Sequence, residues 1–258
     1  MTVTSKGYAA ALRPGGPVRH SRISGVGGYR PTRIVPNAEI VDRIESTDEW
    51  IQERSGIRER RWAGPEEGLI DMSAWAAEPA LAMAGISGDQ VDAVIMATVS
   101  WPYQTPAAAP LLAERLGSKG AAFDISAACA GYCHGIAIAS DLVRGGQADH
   151  VLVVGVERLS DFTDPTDRST AFLFGDGAGA VVVSAADTPG IGPTIWGSDG
   201  AQWDVISQRE SWIDVHQQGL GWPTSGMAGQ TVFRWAVWGM APVAKRALEA
   251  AGITADQL

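Results

Sequence analysis

A candidate nucleophile, Cys129, stands where a short strand turns into a helix within residues 124–132. This pattern places the sulfur at or near the helix N-terminus, where free backbone N–H groups and the helix dipole favour a negative charge. The same N–H groups could point at an oxyanion, and the neighbouring alanines and Gly131 leave room for a substrate carbonyl. These features indicate an activated cysteine for acyl transfer. A free cysteine among alanines is usually a small buried hydrophobic residue, so this segment alone does not establish catalysis.

No clear base for this cysteine can be identified among the four histidines of the chain. His134 follows Cys129 by five residues, which is about 140° around a helix, so it cannot face the same site. His150 directly precedes a buried strand and is interpreted as a turn residue, while His20 falls in the N-terminal extension. His216 lies in a polar, Trp-rich stretch that is predicted to be a loop, and it is the remaining weak candidate.

The bulk composition is that of an ordinary globular protein, with 45% hydrophobic and 19% charged residues. A net charge of -9 argues against nucleic acid and against an anionic membrane surface. The two cysteines, Cys129 and Cys133, lie four residues apart in one helical segment and rarely form a disulfide at that spacing, so we expect a reduced, cytoplasmic protein. Cys133 is assigned to packing. Residues 1–20 lack the apolar centre of a signal peptide and are predicted to form a mobile extension.

Strand and helix patterns alternate along the chain, which predicts the α/β class. We expect helices over residues 37–44, with Asn37 as N-cap, and over 48–54, 71–84, 107–116, 129–143 and 237–250. We expect strands over residues 22–26, 91–99, 121–126, 151–156 and 178–184. The glycine-rich run 175–179 resembles a phosphate-binding loop, but a strand follows it instead of a helix, so a tight turn is predicted.

An internal repeat links two parts of the chain: residues 84–91 resemble residues 251–258, and both segments follow an Ala-rich helix. A chance match of a common helix-end pattern is one explanation, and we favour a duplicated βα architecture. The expected organisation is an extension over 1–20, a first half over 21–187 that carries the cysteine, and an incomplete second half over 188–258.

Five segments together resemble β-ketoacyl-acyl-carrier-protein synthase III. They are residues 48–60, 127–131, 164–168, 174–180 and 227–233, and their order and spacing match the family over residues 22–258. The resemblance implies the thiolase fold, with two similar βα halves in five α-β-α-β-α layers, and a homodimer. It implies that Cys129 takes an acyl group from acyl-CoA, and that malonyl-acyl-carrier protein then decarboxylates and attacks the thioester. The product starts fatty-acid synthesis. Acyl-CoA is here a substrate, and neither a cofactor nor a metal is implied.

The resemblance also assigns binding roles to matching positions. Trp50 and Arg168 match the pair that sandwiches the adenine of CoA, which suits an indole face and a planar guanidinium. Arg54 matches a contact to the nucleotide end, although a surface salt bridge would explain it too. The remaining matches form the pantetheine tunnel (Met227, Gly229 and Phe233) and the surroundings of the acyl pocket (Phe174 and Ile206).

Thr105, just before Pro106, matches the position that closes the acyl pocket across the dimer. A small residue there should leave space for a branched primer such as isobutyryl. Arg234, Lys245 and Arg246 could contribute to a surface that docks the carrier protein, or could be ordinary solvated residues.

The chain departs from the family in one respect: no residue of it matches the family's Pro-His-Gln-Ala-Asn segment or its second catalytic Asn. Because the family's His and Asn stabilise the enolate formed on decarboxylation, we expect these 258 residues to support acylation of Cys129 but not condensation. Two alternatives stay open. One is a ketosynthase that primes polyketide assembly, and the other is a non-catalytic protein that binds acyl-CoA or partners a dimer.

Overall fold

The computed structural model describes residues 19–258, and its centre is a five-stranded mixed sheet. The predicted extension over residues 1–20 lies almost entirely outside the described residues. The strands follow the spatial order β1-β7-β6-β4-β5, in which β4 is parallel to both β5 and β6 while β7 is antiparallel to β1 and β6. The strand bounds are β1 His20–Tyr29, β4 Ala93–Ala97, β5 Ala121–Ile125, β6 His150–Arg158 and β7 Asp176–Ala186. The predicted α/β class is confirmed.

Helices cover both faces of the sheet, because β4, β6 and β7 carry apolar side chains on each face. Helices α2 (Leu69–Ala84) and α3 (Ala109–Leu116) pack against one face of the sheet, where they bury Met96, Leu152 and Val182 of the strands. Helix α4 (Gly131–Arg144) packs against the other face, where it buries Ile95, Val153 and Val181 of the strands. The first half of the chain is therefore a three-layer α-β-α unit.

A smaller subdomain is inserted into this unit between β1 and α2. It contains the hairpin strands β2 (Arg33–Pro36) and β3 (Glu59–Trp62) and the helix α1 (Asp48–Ser55). Thr47 caps α1 by accepting a hydrogen bond from the backbone N–H of Trp50, and Gly56 ends it in the left-handed conformation, as the sequence predicts for a helix at this position.

The second half is built from a short hairpin and two helices. The strands β8 (Ile206–Gln208) and β9 (Ser225–Met227) flank helix α5 (Trp212–Gln218), and the long helix α6 (Gly229–Ala251) follows. Helix α6 exposes large apolar side chains, among them Trp238 and Met240. None of the helices within residues 19–258 combines the length and hydropathy that crossing a membrane requires.

Three local predictions are wrong. Residues 37–44 form two 3₁₀ turns instead of one helix, and Asn37 is buried, donating to Asp48 and to the carbonyl of Ile57 instead of capping. The run 175–179 is not a tight turn, because its glycines from Gly177 onward belong to β7: Gly177 pairs with β6, and Gly179 pairs with both β1 and β6. His150 is the first residue of β6, where its Nδ1 lies 2.9 Å from the Ser184 hydroxyl.

The internal repeat has a structural counterpart at both helix ends. Helices α2 and α6 each end at a left-handed glycine, Gly85 and Gly252. Each glycine is followed by a 3₁₀ turn that begins with the same capping box, Ser87 with Gln90 in the first copy and Thr254 with Gln257 in the second. The matching sequence patterns therefore adopt matching structures, which favours duplication over a chance resemblance. The proposed boundary at residue 187 stays a prediction.

Candidate active site

Cys129 lies at the carboxyl edge of the sheet, where the parallel strands β4, β5 and β6 all end. In open α/β sheets this edge is the usual place for a ligand, because the connections to the following elements diverge there. Cys129 follows β5 within a 3₁₀ turn, Ala128–Ala130, that runs directly into α4. The predicted strand-turn-helix around the cysteine is thus confirmed, and the side chain is exposed to solvent.

The turn that presents Cys129 has an unusual backbone. Ala128 has a φ of 43°, in the left-handed region that residues other than glycine rarely adopt. Close packing behind the turn fixes its position: a Cβ on Gly131 would meet the Ala97 side chain at 3.1 Å, and one on Gly135 would meet Val153 at 2.7 Å. The start of α4 therefore rests directly on β4 and β6, which holds the cysteine at the strand ends.

A largely apolar cavity of about 540 Å³ opens beside Cys129. Its wall comes from the ends of β4 and β6, from the start of α4 and from the β8–β9 hairpin. The ring of Tyr132 packs against Gly155, where a Cβ would approach it to 3.2 Å, so this glycine makes room for the ring. The other lining residues include Val99, Val156, Leu159, Leu173, Phe174, Ile206 and Met227. Such a cavity suits a short hydrocarbon chain attached to the sulfur.

Glu157 is the one carboxylate among the residues that line this cavity. It accepts hydrogen bonds from the backbone N–H of Val99 at 3.0 Å, from the Ser100 hydroxyl, and from the Thr98 hydroxyl at 3.3 Å. Burial raises its pKa above the usual value for a glutamate, although these hydrogen bonds act in the opposite direction. Glu157 thereby ties the loop after β4 to the end of β6 at the mouth of the cavity.

The raised pKa of Glu157 gives a prediction about stability and pH. The folded protein binds this proton more tightly than the unfolded chain does. The stability that protonated Glu157 contributes is therefore complete below the unfolded pKa and is lost as pH rises through the folded pKa. The stability of the native protein relative to Glu157→Gln should therefore fall as pH rises above about 4.5, the usual pKa of a glutamate side chain. Urea unfolding of both proteins at a series of pH values measures the difference, and a difference that does not change with pH would contradict the assignment.

A second depression of about 750 Å³ runs from the surface toward this cavity. At its outer end the Trp50 ring has the guanidinium of Arg54 at 4.7 Å and that of Arg168 at 4.8 Å from its centroid. Phe172 holds the Trp50 ring from the side in an edge-on contact at 5.5 Å. Two guanidinium groups thus lie over the Trp50 ring, and a third cation, Arg234, also lines the groove. This combination suits a planar, anionic ligand.

The groove and the cavity share two lining residues, Leu173 and Met227. The groove, with its aromatic and cationic outer end, therefore adjoins the cavity beside Cys129 at these two side chains. Gly229 and Phe233 lie along the groove, and Phe174 and Ile206 line the cavity, so each of these residues falls in the region where it was predicted. Their individual roles stay predictions.

Other predicted residues lie elsewhere. Thr105 is exposed and does not line the cavity of its own chain, which agrees with a role toward a second copy and does not test it. Cys133 is exposed, so its assignment to packing is wrong: it lies on the face of α4 that the described residues leave uncovered. His216 belongs to helix α5, not to a loop, and its side chain is exposed.

None of the four histidines, all of which are among residues 19–258, lines the cavity. His134 instead stacks on Trp196 at 5.1 Å between ring centroids. Sequence reasoning missed Glu157 and Tyr132. For Glu157 a signal existed, since an acidic residue directly follows the apolar run 151–156, where a parallel strand would reach the ligand-binding edge.

Comparison with known proteins identifies the family. The sequence model described as 3-oxoacyl-[acyl-carrier-protein (ACP)] synthase III matches residues 123–200. A β-ketoacyl-[acyl-carrier-protein] synthase III 1 from Streptomyces coelicolor is 52% identical, over 96% of this chain and 76% of the relative. A second relative, the β-ketoacyl-[acyl-carrier-protein] synthase III of Kocuria rhizophila, is 46% identical, over 96% of this chain and 77% of its own length.

Two solved structures match the fold. The priming β-ketosynthase from the R1128 polyketide biosynthetic pathway superposes with a TM-score of 0.92 at 45% identity, covering 96% of this chain and 75% of the other. The 3-oxoacyl-[acyl-carrier-protein] synthase III from Aquifex aeolicus superposes with a TM-score of 0.83 at 36% identity, covering 92% of this chain and 74% of the other. The fold is therefore the predicted thiolase fold, and the chain belongs to the β-ketoacyl-acyl-carrier-protein synthase III family.

Proposed function

We propose that this protein transfers a short acyl group from acyl-CoA to Cys129 and belongs to the enzymes that condense this group with malonyl-acyl-carrier protein. The observation that carries the proposal is that the groove at Trp50 and Arg168 adjoins the apolar cavity beside Cys129, with Leu173 and Met227 lining both. A ligand with a planar, charged head, a narrow arm and an apolar end matches the order of these surfaces. Acyl-CoA has this construction.

The acylation step follows from the position of Cys129. Its sulfur, as the thiolate, attacks the thioester carbonyl of acyl-CoA, and the bond between the carbonyl carbon and the CoA sulfur then breaks. CoA leaves as the thiol after taking up a proton, and the acyl chain remains on Cys129 with its hydrocarbon part in the apolar cavity. Trp50, Arg54 and Arg168 hold the nucleotide end, and they thereby orient the carbonyl toward the sulfur.

Condensation is the second half of the proposed reaction. Malonyl-acyl-carrier protein loses CO₂, the resulting enolate carbon attacks the acyl thioester, and the Cys129 thiolate leaves. The product is a β-ketoacyl-carrier protein. Because no residue of these 258 matches the family's enolate-stabilising His and Asn, we expect them to form the thioester without the condensed product.

The primer is proposed to be branched, and the enzyme is proposed to act as a homodimer. Thr105 is small and exposed on the loop after β4. The family resemblance places this position against the acyl pocket of a second copy, which a small residue would leave open. We expect the rate of thioester formation with isobutyryl-CoA to exceed that with acetyl-CoA by about tenfold, because the extra carbon atoms fill the cavity.

The experiment is to incubate the protein with each acyl-CoA, with and without malonyl-acyl-carrier protein. Intact-mass spectrometry then measures the acyl adduct and the condensed product. Faster acylation by acetyl-CoA would contradict the branched primer, and no adduct with either substrate would contradict acyl transfer and favour a non-catalytic acyl-CoA-binding protein.

Priming of polyketide assembly is the second candidate. It is favoured by the 45% identity and the TM-score of 0.92 with the R1128 priming ketosynthase. Both candidates share the chemistry on Cys129 and differ in the carrier protein that receives the product. The test compares malonyl-carrier proteins from polyketide synthesis and from fatty-acid synthesis as substrates. Faster reaction with the polyketide carrier protein would favour the priming role.

A further inference from the structure

The loop that carries Arg168 is held to the β8–β9 hairpin by an ion pair. Asp167, the residue before Arg168, accepts a hydrogen bond from Nη2 of Arg209 at 2.8 Å through one carboxylate oxygen. Its other oxygen accepts from the backbone N–H and the hydroxyl of Ser169 at 2.8 and 2.7 Å. One carboxylate oxygen of Asp167 therefore binds Ser169 within the loop, and the other binds Arg209 outside it.

Arg209 is itself held in place by the hairpin. Its backbone N–H donates to the carbonyl of Thr224 at 3.0 Å. Its side chain lies across Gly226, where a Cβ would come within 2.6 Å of Nε, so the absence of a side chain there makes room for it. The next residue, Met227, lines both the groove and the cavity. Arg209 thus joins the two segments that form opposite parts of the groove.

The ion pair differs from an ordinary surface pair. The Asp167 side chain is only 14% exposed, whereas the pair between Lys119 and Glu114 leaves both side chains about 80% exposed. Burial alone would raise the pKa of Asp167, but hydrogen bonds from Ser169 and the charge of Arg209 bring it below its usual value. A partly buried pair is screened less by salt and contributes more than an exposed one.

For a flat ring to bind between Trp50 and Arg168, the Arg168 side chain has to move outward. Its guanidinium lies 4.8 Å from the Trp50 centroid, whereas a flat ring inserted between two stacked groups needs a separation of about 7 Å. If the loop backbone is fixed, only the Arg168 side chain has to swing outward and close again on the ligand. If the backbone is free, closing the site costs additional conformational entropy.

We propose that Arg209 is a positioning residue for the nucleotide end of acyl-CoA, and that it acts by fixing the backbone of the Arg168 loop through Asp167. This inference rests on the proposed function, since it takes acyl-CoA as the ligand of the groove. Arg209 does not line the groove itself, so it acts on the ligand through another residue, and its contact with Asp167 leads directly to Arg168.

The test measures the dissociation constant of coenzyme A by calorimetry for the native protein and its variants. Arg209→Gln and Asp167→Asn should each weaken binding about fivefold, and the double variant should be no weaker than either single one, because both remove the same contact. Asp167→Asn keeps a side-chain oxygen for Ser169. Arg209→Lys should restore most of the affinity, and Lys119→Gln, which removes an exposed pair, should leave it unchanged.

A second readout separates positioning from general damage to the fold. Isobutyryl-pantetheine lacks the nucleotide, so its rate of acyl transfer to Cys129 should be the same in Arg209→Gln as in the native protein. Coenzyme A affinity within about twofold of native in Arg209→Gln would overturn the inference, as would an equal loss with isobutyryl-pantetheine. Absence of the Cys129 thioester in the native protein would instead overturn the proposed function, while an Arg209-dependent affinity for coenzyme A would still support the role of this residue.

Discussion

Replacement of Cys129 by alanine should abolish formation of the acyl thioester, with a loss of about 10³-fold or more in its rate. The sulfur supplies the electron pair that forms the new bond, and no other residue that lines the cavity is a nucleophile of comparable strength. Intact-mass spectrometry after incubation with isobutyryl-CoA should show one acyl group on the native protein and none on Cys129→Ala. Coenzyme A should bind both proteins, because its binding groove does not include the cysteine.

Cys133 provides the matched control. It is also a free, exposed thiol, one helical turn further along the same segment, but it does not line the cavity. Cys133→Ala should therefore acylate at the native rate. If Cys133→Ala loses the adduct while Cys129→Ala keeps it, the assignment of the nucleophile is wrong.

The second large effect is expected at Gly27, in the contact between β1 and α2. A Cβ at this position would lie 2.1 Å from the carbonyl oxygen of Ala76 and 2.8 Å from the backbone nitrogen of Ala80. Since backbone atoms of a packed helix cannot yield as a flexible side chain does, Gly27→Ala must push α2 off the sheet. We expect the free energy of unfolding to fall by about 3 kcal/mol.

Gly28 is the control for this substitution because it adjoins Gly27 on the same strand and faces the other way. A Cβ there meets only the carbonyl oxygen of Ala178, at an ordinary 3.6 Å. Gly28→Ala should change stability by less than about 1 kcal/mol. Urea unfolding followed by circular dichroism compares the two variants, and equal effects would show that the close approach of α2 is not what requires glycine.

Much of the site could be predicted because its chemistry is local in sequence. The turn around Cys129 is recognisable from a short apolar strand, a cluster of small residues and a helix within one segment. Trp50 likewise lies on the helix predicted over residues 48–54, and the structure adds its caps, Thr47 and Gly56. The resemblance to the family then supplied Arg168 and Met227, which lie far from Cys129 in the chain and which no local pattern connects to it.

The errors come from contacts that are distant in sequence. Gly177 and Gly179 resemble a turn when read locally, but they lie inside β7 because this strand pairs with β1 on one side and β6 on the other. Residues 37–44 lack a stable helix because the side chain of Asn37 is used for contacts with Asp48 and Ile57. The apolar run before Glu157 indicates that this residue lies at the ligand-binding edge, but only the order of the parallel strands places it near Cys129.

The most direct test of the central claim is to locate the acyl group within one peptide. Trypsin cleavage after Lys119 and Arg144 releases a peptide, residues 120–144, that contains both cysteines of the chain. After incubation with isobutyryl-CoA, fragmentation between the two cysteines should place the entire mass increase on Cys129, and hydroxylamine should remove it. A mass increase on Cys133, or none on this peptide although coenzyme A binds, would contradict the account.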